Sequence, residues 1–268
     1  MHPVISDGAH TPQEVVAMAR RARLRVIAIT DHDSVDAIAP ARAAAGSDLA
    51  VLAGVEISCE GPQGEVHLLA YHIDIDNAPL GEALARSRHT RIGRAQAMLE
   101  RLRALGIDIP WERVRHLAGD GAIGRPHIAA ALAEARHVGS VREAFDLYLA
   151  QDRPAYVARA KLTPEVAIGL VRRAGGVPVL AHPWGHEEMV PDLVRAGLAG
   201  VEAHYLGYPD EVVSGLVSLA KRYGLVTTGG SDFHGATVIP ERRLGDARVP
   251  PHCVRALEER RERIRAAG

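Results

Sequence analysis

The chain has 268 residues, enough for one large α/β domain or a domain carrying an inserted one, and its 47% hydrophobic and 24% charged residues exclude a disordered or fibrous protein. A net charge of -1 at pH 7 argues against a broad electrostatic grip on nucleic acid, but not against a local pocket for a nucleotide or a phosphorylated end. No apolar run approaches the ~20 residues that span a bilayer, the first residues lack the charged and apolar regions of a signal peptide, and the two cysteines, Cys59 and Cys253, make no paired-cysteine metal motif, so a cytoplasmic setting without disulfides is expected.

In chain order, Thr11-Pro12-Gln13-Glu14 is a capping box with proline at the first helical position, which predicts a helix start. Residues 25–30, 50–55 and 66–71 are short apolar runs, several of them β-branched, and read as strands. Continuous apolar strands of this length are typical of parallel sheets covered on both faces. Residues 78–160 break the rhythm and carry no strand signal. Within them, 84–105 has helical apolar spacing and an arginine-rich polar face, and Ser140-Val141-Arg142-Glu143 is a capping box opening a helix with Phe145 and Tyr148. The rhythm resumes at Thr163-Pro164-Glu165, with further strands at 177–181, 201–205 and 225–228 and a charged terminal helix at 256–267. Strand–helix–strand alternation predicts an α/β barrel or open sheet built from 1–77 and 161–268, interrupted by a helical insertion domain at 78–160.

The residues able to do chemistry gather at strand ends. Thr30-Asp31-His32-Asp33 follows the first strand, Gly54-Val55-Glu56 ends the second, His67 lies in the third, Ala181-His182-Pro183 ends the fourth, and Gly230-Ser231-Asp232-Phe233-His234 closes the last. In a parallel barrel such ends converge on one face. Imidazole and carboxylate donors suit zinc, manganese or iron rather than calcium. Taken singly, each residue has a plainer reading. A strand-end histidine is commonly a hydrogen-bonded structural residue, Asp31 and Asp33 suit the capping of the next helix, and Gly229-Gly230 suits an ordinary turn. Five strand ends bearing ligand chemistry together are hard to explain by chance.

These segments, with Ser6-Asp7-Gly8, Ile57-Ser58 and Gly235, resemble the PHP family, the polymerase and histidinol phosphatase superfamily of metal-dependent phosphoesterases. The matching motifs run from residue 6 to residue 235 and, as an ordered set, are highly specific. The resemblance implies a distorted (β/α)7 barrel with three divalent ions, commonly manganese, iron or zinc, and hydrolysis by a metal-bridged hydroxide. By that analogy Glu56 bridges two metals, His67 and His182 complete one, and Asp7, His32 and His234 hold another. Asp232 joins His2 at the third. The general acid stays unassigned.

The nearest subgroup in this resemblance is the bacterial stand-alone enzymes with a helical insertion, which act on nucleoside 3′,5′-bisphosphates or trim short RNA from the 5′ end. That implies a small phosphorylated substrate, a nucleotide or short oligoribonucleotide, with no membrane partner and no extended nucleic-acid surface. Gly124-Arg125-Pro126-His127 resembles the subgroup's phosphate-binding motif, with Arg125 as a planar fork and His127 as a second donor. The plainer reading is that Arg125 pairs with a carboxylate and Pro126 starts a helix. Arg91, Arg94 and Lys161 are weaker candidates for the same pocket. Histidinol-phosphate phosphatase is an alternative within the superfamily, and a degenerate non-catalytic module is an alternative outside enzymology.

One departure stands out. Family members open with Asp-Leu-His-x-His four residues ahead of Ser-Asp-Gly. Here His2 takes the second histidine's place, and the first histidine and first barrel strand would precede Met1. Either the true start lies upstream, which the intact remaining motifs favour, or one metal position lacks a ligand. For the chain as it stands, the expectation is lower stability and weak occupancy at the position served by His2 and Asp232.

Overall fold

The computed structural model describes residues 1–62, 64–119, 123–157, 162–235, 238 and 241–267. They form two compact units, Met1–Leu84 with Lys161–Gly268, and Ala85–Ala160.

The first unit is an α/β structure around a curled, six-stranded sheet. Helix α1 (Pro12–Arg21) precedes β1 (Val26–Ile29) and α2 (Ile38–Ala45). Strands β2 (Ala50–Gly61) and β3 (Gly64–Tyr71) follow, and the long helix α3 (Ala78–Ala104) begins in this unit. The chain returns with α7 (Pro164–Arg173), β4 (Val177–Leu180), α8 (Val190–Arg195), β5 (Gly200–Tyr205), α9 (Asp210–Tyr223), β6 (Val226–Gly230) and α10 (His252–Ala267). The spatial order is β1-β2-β3-β4-β5-β6. All six predicted strands are present.

Their directions are not all parallel. β1 pairs parallel with β2, and β4, β5 and β6 pair parallel, but β3 runs antiparallel to both β2 and β4. Gly61 pairs with Gly64, so β2 and β3 join directly as a hairpin. A connection that short cannot carry the crossover that parallel neighbours need. β2 also runs on past the apolar run read from the sequence. Glu56 and Ser58 interrupt the hydrophobic pattern, yet both are buried within the strand.

Alternation along the strands feeds two cores. Leu68 joins Ile29, Val55, Ile57 and Val201 beneath α1, α2, α7 and α8, with Val16, Ile38, Ile168 and Leu193 as the helical contribution. Leu69 and Tyr71 face the other way and pack with Val179, Val226 and the α10 residues Leu257 and Ile264. The start of α1 is as predicted: Glu14 N–H donates to Thr11 Oγ1 at 3.2 Å, and Thr11 N–H donates to the Glu14 carboxylate at 2.8 Å.

β1 and β6 are the edges of the sheet, and the N-terminal residues span the gap between their C-terminal ends. The Met1 ammonium donates to Thr30 Oγ1 at 2.8 Å, Thr30 N–H donates to Met1 O at 3.0 Å, and His2 N–H donates to Phe233 O at 3.0 Å. Beside this bridge lies a cavity of about 910 Å³, lined by β1, β6 and α10 residues among others.

The second unit is helical among the described residues. After α3 come α4 (Trp111–Ala118), α5 (Arg125–Glu134) and α6 (Val141–Ala144), which runs into a π-helical turn at Phe145–Leu149. Its own core gathers Met98, Leu102, Ile109, Val114, Ile128, Leu132 and Leu149. Ser140 caps α6 by accepting from Glu143 N–H at 3.1 Å, but the Glu143 carboxylate takes the Gly139 N–H at 2.6 Å, one residue earlier than the predicted box.

Candidate metal centre

Glu56 stands in the middle of β2 and is 4% exposed. A carboxylate at that depth is costly without compensation. Three histidines supply it. His67 Nδ1 is 2.8 Å and His182 Nε2 is 3.5 Å from Glu56 Oε1, and His2 Nε2 is 3.1 Å from Oε2. Each arrives from a different element: the N-terminal segment, β3, and the turn after β4. His32, just beyond β1, pairs through its backbone with Glu56. Because β3 runs in reverse, its early residue His67 reaches the same rim that His32, His182 and Asp232 reach by following their strands.

Asp7 and Asp232 complete the cluster. His2 Nε2 lies 3.1 Å from Asp232 Oδ1, and His234 Nε2 lies 3.3 Å from Asp7 Oδ1. Asp7 also stands 3.7 Å from both His2 Nδ1 and His32 Nε2. The His2 and His234 rings stack at 4.1 Å. All eight residues singled out from the sequence as metal ligands are therefore brought to one place. Among the described residues they contain three sets of donors whose ligand atoms lie within 4.8 Å of one another: His2, Asp7, His32 and His234; His32, Glu56 and His67; and His2, Glu56 and Asp232. His182 stands outside these sets, with its Nε2 3.2 Å from His67 Nδ1.

The local backbone is unusual where the ligands sit. Asp33, His182 and Asp232 have positive φ values of 53°, 29° and 46°. Non-glycine residues in that region are uncommon and cluster at functional sites. Gly8 has no alternative: a Cβ there would lie 1.6 Å from His2 O. The Ser6-Asp7-Gly8 turn thus seats His2 as well as presenting Asp7. Gly229 faces a register shift in β5, where a Cβ would lie 2.3 Å from His204 O. Asp31 and Asp33 do not cap α2, which has no side-chain cap. Asp31 accepts from Ser6 Oγ at 2.5 Å and Asp33 accepts from Ser58 N–H at 3.0 Å, so both brace the cluster instead.

The electrostatics are those of a mutually compensating set. Burial opposes a charge on His2, as does the nearby N-terminal ammonium, but bonds to Asp232 and Glu56 push it up to about 9. His67 is likewise penalised by burial and raised by Glu56 to about 10. Burial would raise Asp7, but the His234 bond and the fields of His32 and His2 hold it far below the carboxylate range. Burial lowers His32 to about 4. Two buried ring nitrogens, His2 Nδ1 and His32 Nδ1, have no hydrogen-bond partner. Unpartnered buried imidazole nitrogens among carboxylate oxygens fit divalent cations of borderline softness.

Several residues at the site had not been singled out from the sequence. Glu202 in β5 is buried, is raised to about 7 by that burial, and accepts from His182 N–H at 2.9 Å. Tyr205 donates to Asp232 Oδ2 at 3.0 Å, and Arg242 pairs with the same carboxylate. A glutamate inside an otherwise apolar strand run is the signal that would have found Glu202. Arg242 lies in a loop with no local pattern to mark it.

Of the predicted substrate residues, Arg91, Arg94, Arg125 and His127 belong to the helical unit. Arg125 opens α5 ahead of Pro126, with its guanidinium 5.7 Å from the Phe145 ring centre. His127 Nδ1 accepts from Gly124 N–H at 3.1 Å, a local role at the helix start. Arg91 lies on α3, and Arg94 donates to Val157 O at 2.7 Å. Lys161 lies outside the described residues.

The chain is 36% identical over 245 residues to the 5′-3′ exoribonuclease Rnm of Escherichia coli, spanning 87% of this chain and 83% of that one. It is 32% identical over 273 residues to a 3′,5′-nucleoside bisphosphate phosphatase of Chromobacterium violaceum, spanning 98% and 95%. A solved structure from Bifidobacterium adolescentis, described as a metal-dependent phosphoesterase, superposes with a TM-score of 0.84 at 32% identity, covering 97% of this chain and 94% of that one. No protein-family model matches the chain.

Two outcomes follow from the geometry. At pH 7 the raised His2 and His67 carry protons that a cation must displace, because only neutral imidazole ligates. Divalent metal binding therefore releases protons, and affinity falls as pH falls. Calorimetry in two buffers of different ionisation enthalpy checks this, and a binding enthalpy independent of buffer would contradict it. Gly8→Ala should displace the His2–Pro3 backbone and weaken metal binding by about tenfold or more, the effect expected of disturbing a residue that orients ligands. Metal titration of the folded variant checks this.

Proposed function

The chain belongs to the PHP family of metal-dependent phosphoesterases, and from that premise we propose that it hydrolyses phosphate esters on small nucleotides, nucleoside 3′,5′-bisphosphates above all, or at the 5′ ends of short RNA. The observation that carries the reading is the convergence of His2, Asp7, His32, Glu56, His67, His182, Asp232 and His234 on one rim of the sheet. Relatives that align over most of their length and carry those two activities support the substrate class.

We assign three divalent ions, manganese, iron or zinc, to this cluster. Glu56, with His67 and His182, would hold one of them. Asp7, His32 and His234 would hold a second, and His2 with Asp232 a third. Divalent ions in such a site neutralise phosphate charge and activate water for attack. The protein's part is to fix the donors. Glu202 holds the His182 backbone, Asp33 holds the β2 backbone at Ser58, and Tyr205 with Arg242 orients Asp232.

In this reading Arg125 recognises a second phosphate, assisted by His127, Arg91 and Lys161. Arg125 sits at the start of a ten-residue helix, where main-chain N–H groups favour anions. The low net charge fits a compact substrate rather than a long nucleic acid. No helix among the described residues is long and apolar enough to cross a membrane, and two buried free cysteines fit a cytoplasmic setting.

Arg125→Ala tests the substrate assignment. It should raise KM for adenosine 3′,5′-bisphosphate about tenfold or more while changing KM for adenosine 5′-monophosphate much less, since a buried charge-assisted pair is worth about 1.5–3 kcal/mol. Equal effects on both would remove Arg125 from the second phosphate. Faster turnover of histidinol phosphate than of any nucleotide would move the enzyme to the other branch of the superfamily.

A further inference from the structure

The chain has two tryptophans, six tyrosines and two phenylalanines. Three of these few aromatics meet beside the metal cluster. Tyr205 closes β5, and its ring centre lies 6.1 Å from that of His182. Tyr208, three residues on, lies 4.9 Å from Tyr205. Trp184, two residues after His182, lies edge-on to Tyr208 at 5.5 Å. The rings thus form a continuous path from a proposed metal ligand outward.

Burial distinguishes this path from core packing. A tryptophan used as filling is largely covered, but Trp184 is 54% exposed. It is also held in place. Trp184 N–H donates to the Tyr208 hydroxyl at 3.3 Å, tying the turn after β4 to the turn after β5. Tyr208 N–H donates to Tyr205 O at 3.2 Å, which tightens the second turn. Gly185 and Gly207 stand next to the two rings with φ of +87° and +92°, and a Cβ at either would meet nothing within 4 Å. The Tyr205 face is already occupied by the Arg242 guanidinium at 4.9 Å. Open aromatic surface therefore remains at Trp184 and Tyr208, with a cation and the metal cluster on their inner side.

We infer that Trp184, braced edge-on by Tyr208, is a stacking shelf for the base of a nucleotide whose phosphate lies at the metal cluster. The inference rests on the nucleotide-phosphoesterase reading and adds to it a source of preference for base-bearing substrates. Every base offers a flat π-face, so the shelf selects nucleotides over abasic sugar phosphates without choosing among bases. Its ring is pre-positioned, so little ordering cost opposes binding.

Trp111→Phe leaves Trp184 as the sole tryptophan and makes its fluorescence a direct probe. Adenosine 3′,5′-bisphosphate should quench that emission, and the matching abasic ribose bisphosphate should not. In the otherwise unaltered chain, Trp184→Ala should lower kcat/KM for the nucleotide about tenfold more than for the abasic ester, by loss of one base stack. Trp184→Phe should restore most of the difference. Quenching without hydrolysis would keep the shelf and overturn the nucleotide-phosphoesterase reading. Nucleotide hydrolysis with no quenching, and with equal effects of Trp184→Ala on both esters, would keep that reading and overturn the shelf.

Discussion

A carboxylate buried in the middle of a sheet sets the terms for everything around it. Glu56 is 4% exposed, and its two oxygens meet imidazoles from the N-terminal segment, from β3 and from the turn after β4. No single strand could supply that compensation. The fold brings it together by having β3 run against its neighbours, by letting His182 and Asp232 turn through positive φ, and by placing Gly8 where His2 must pass. Removing one partner of such a set would leave an uncompensated buried charge. The same charges that make the cluster costly in isolation are ones that divalent cations would balance.

The fold was legible where local chemistry decides it. Thr11 with Glu14 marks a helix start through two reciprocal hydrogen bonds, and those bonds are present. Six short apolar runs mark six strands. Direction was not legible, because β3 owes its reversal to the short turn at Gly61–Gly64 rather than to its own residues. Where β2 ends was hidden too, since Glu56 and Ser58 look like loop residues until their partners are known.

The site divides along the same line. Histidines and aspartates at strand ends could be picked out because ligand-type residues recur after apolar runs. Asp31 and Asp33 suggested helix caps by their position, yet they bind Ser6 and the Ser58 backbone, contacts 25 residues away along the chain. Arg242 and Glu202 act on Asp232 and His182 from ten and twenty residues away, at spacings that belong to no helix or strand period. Trp184 escaped notice for a related reason. An exposed aromatic acquires meaning only once Tyr208 and His182 are seen beside it.

The central claim is that this buried cluster holds the divalent ions on which hydrolysis depends. The most direct test is phosphate release from adenosine 3′,5′-bisphosphate by protein whose metal content is measured before chelation, after chelation, and after adding back manganese, iron or zinc. Activity should vanish as the metals leave and return with them, and Glu56→Ala should prevent both metal uptake and recovery. Undiminished hydrolysis by protein stripped of metal would contradict the account.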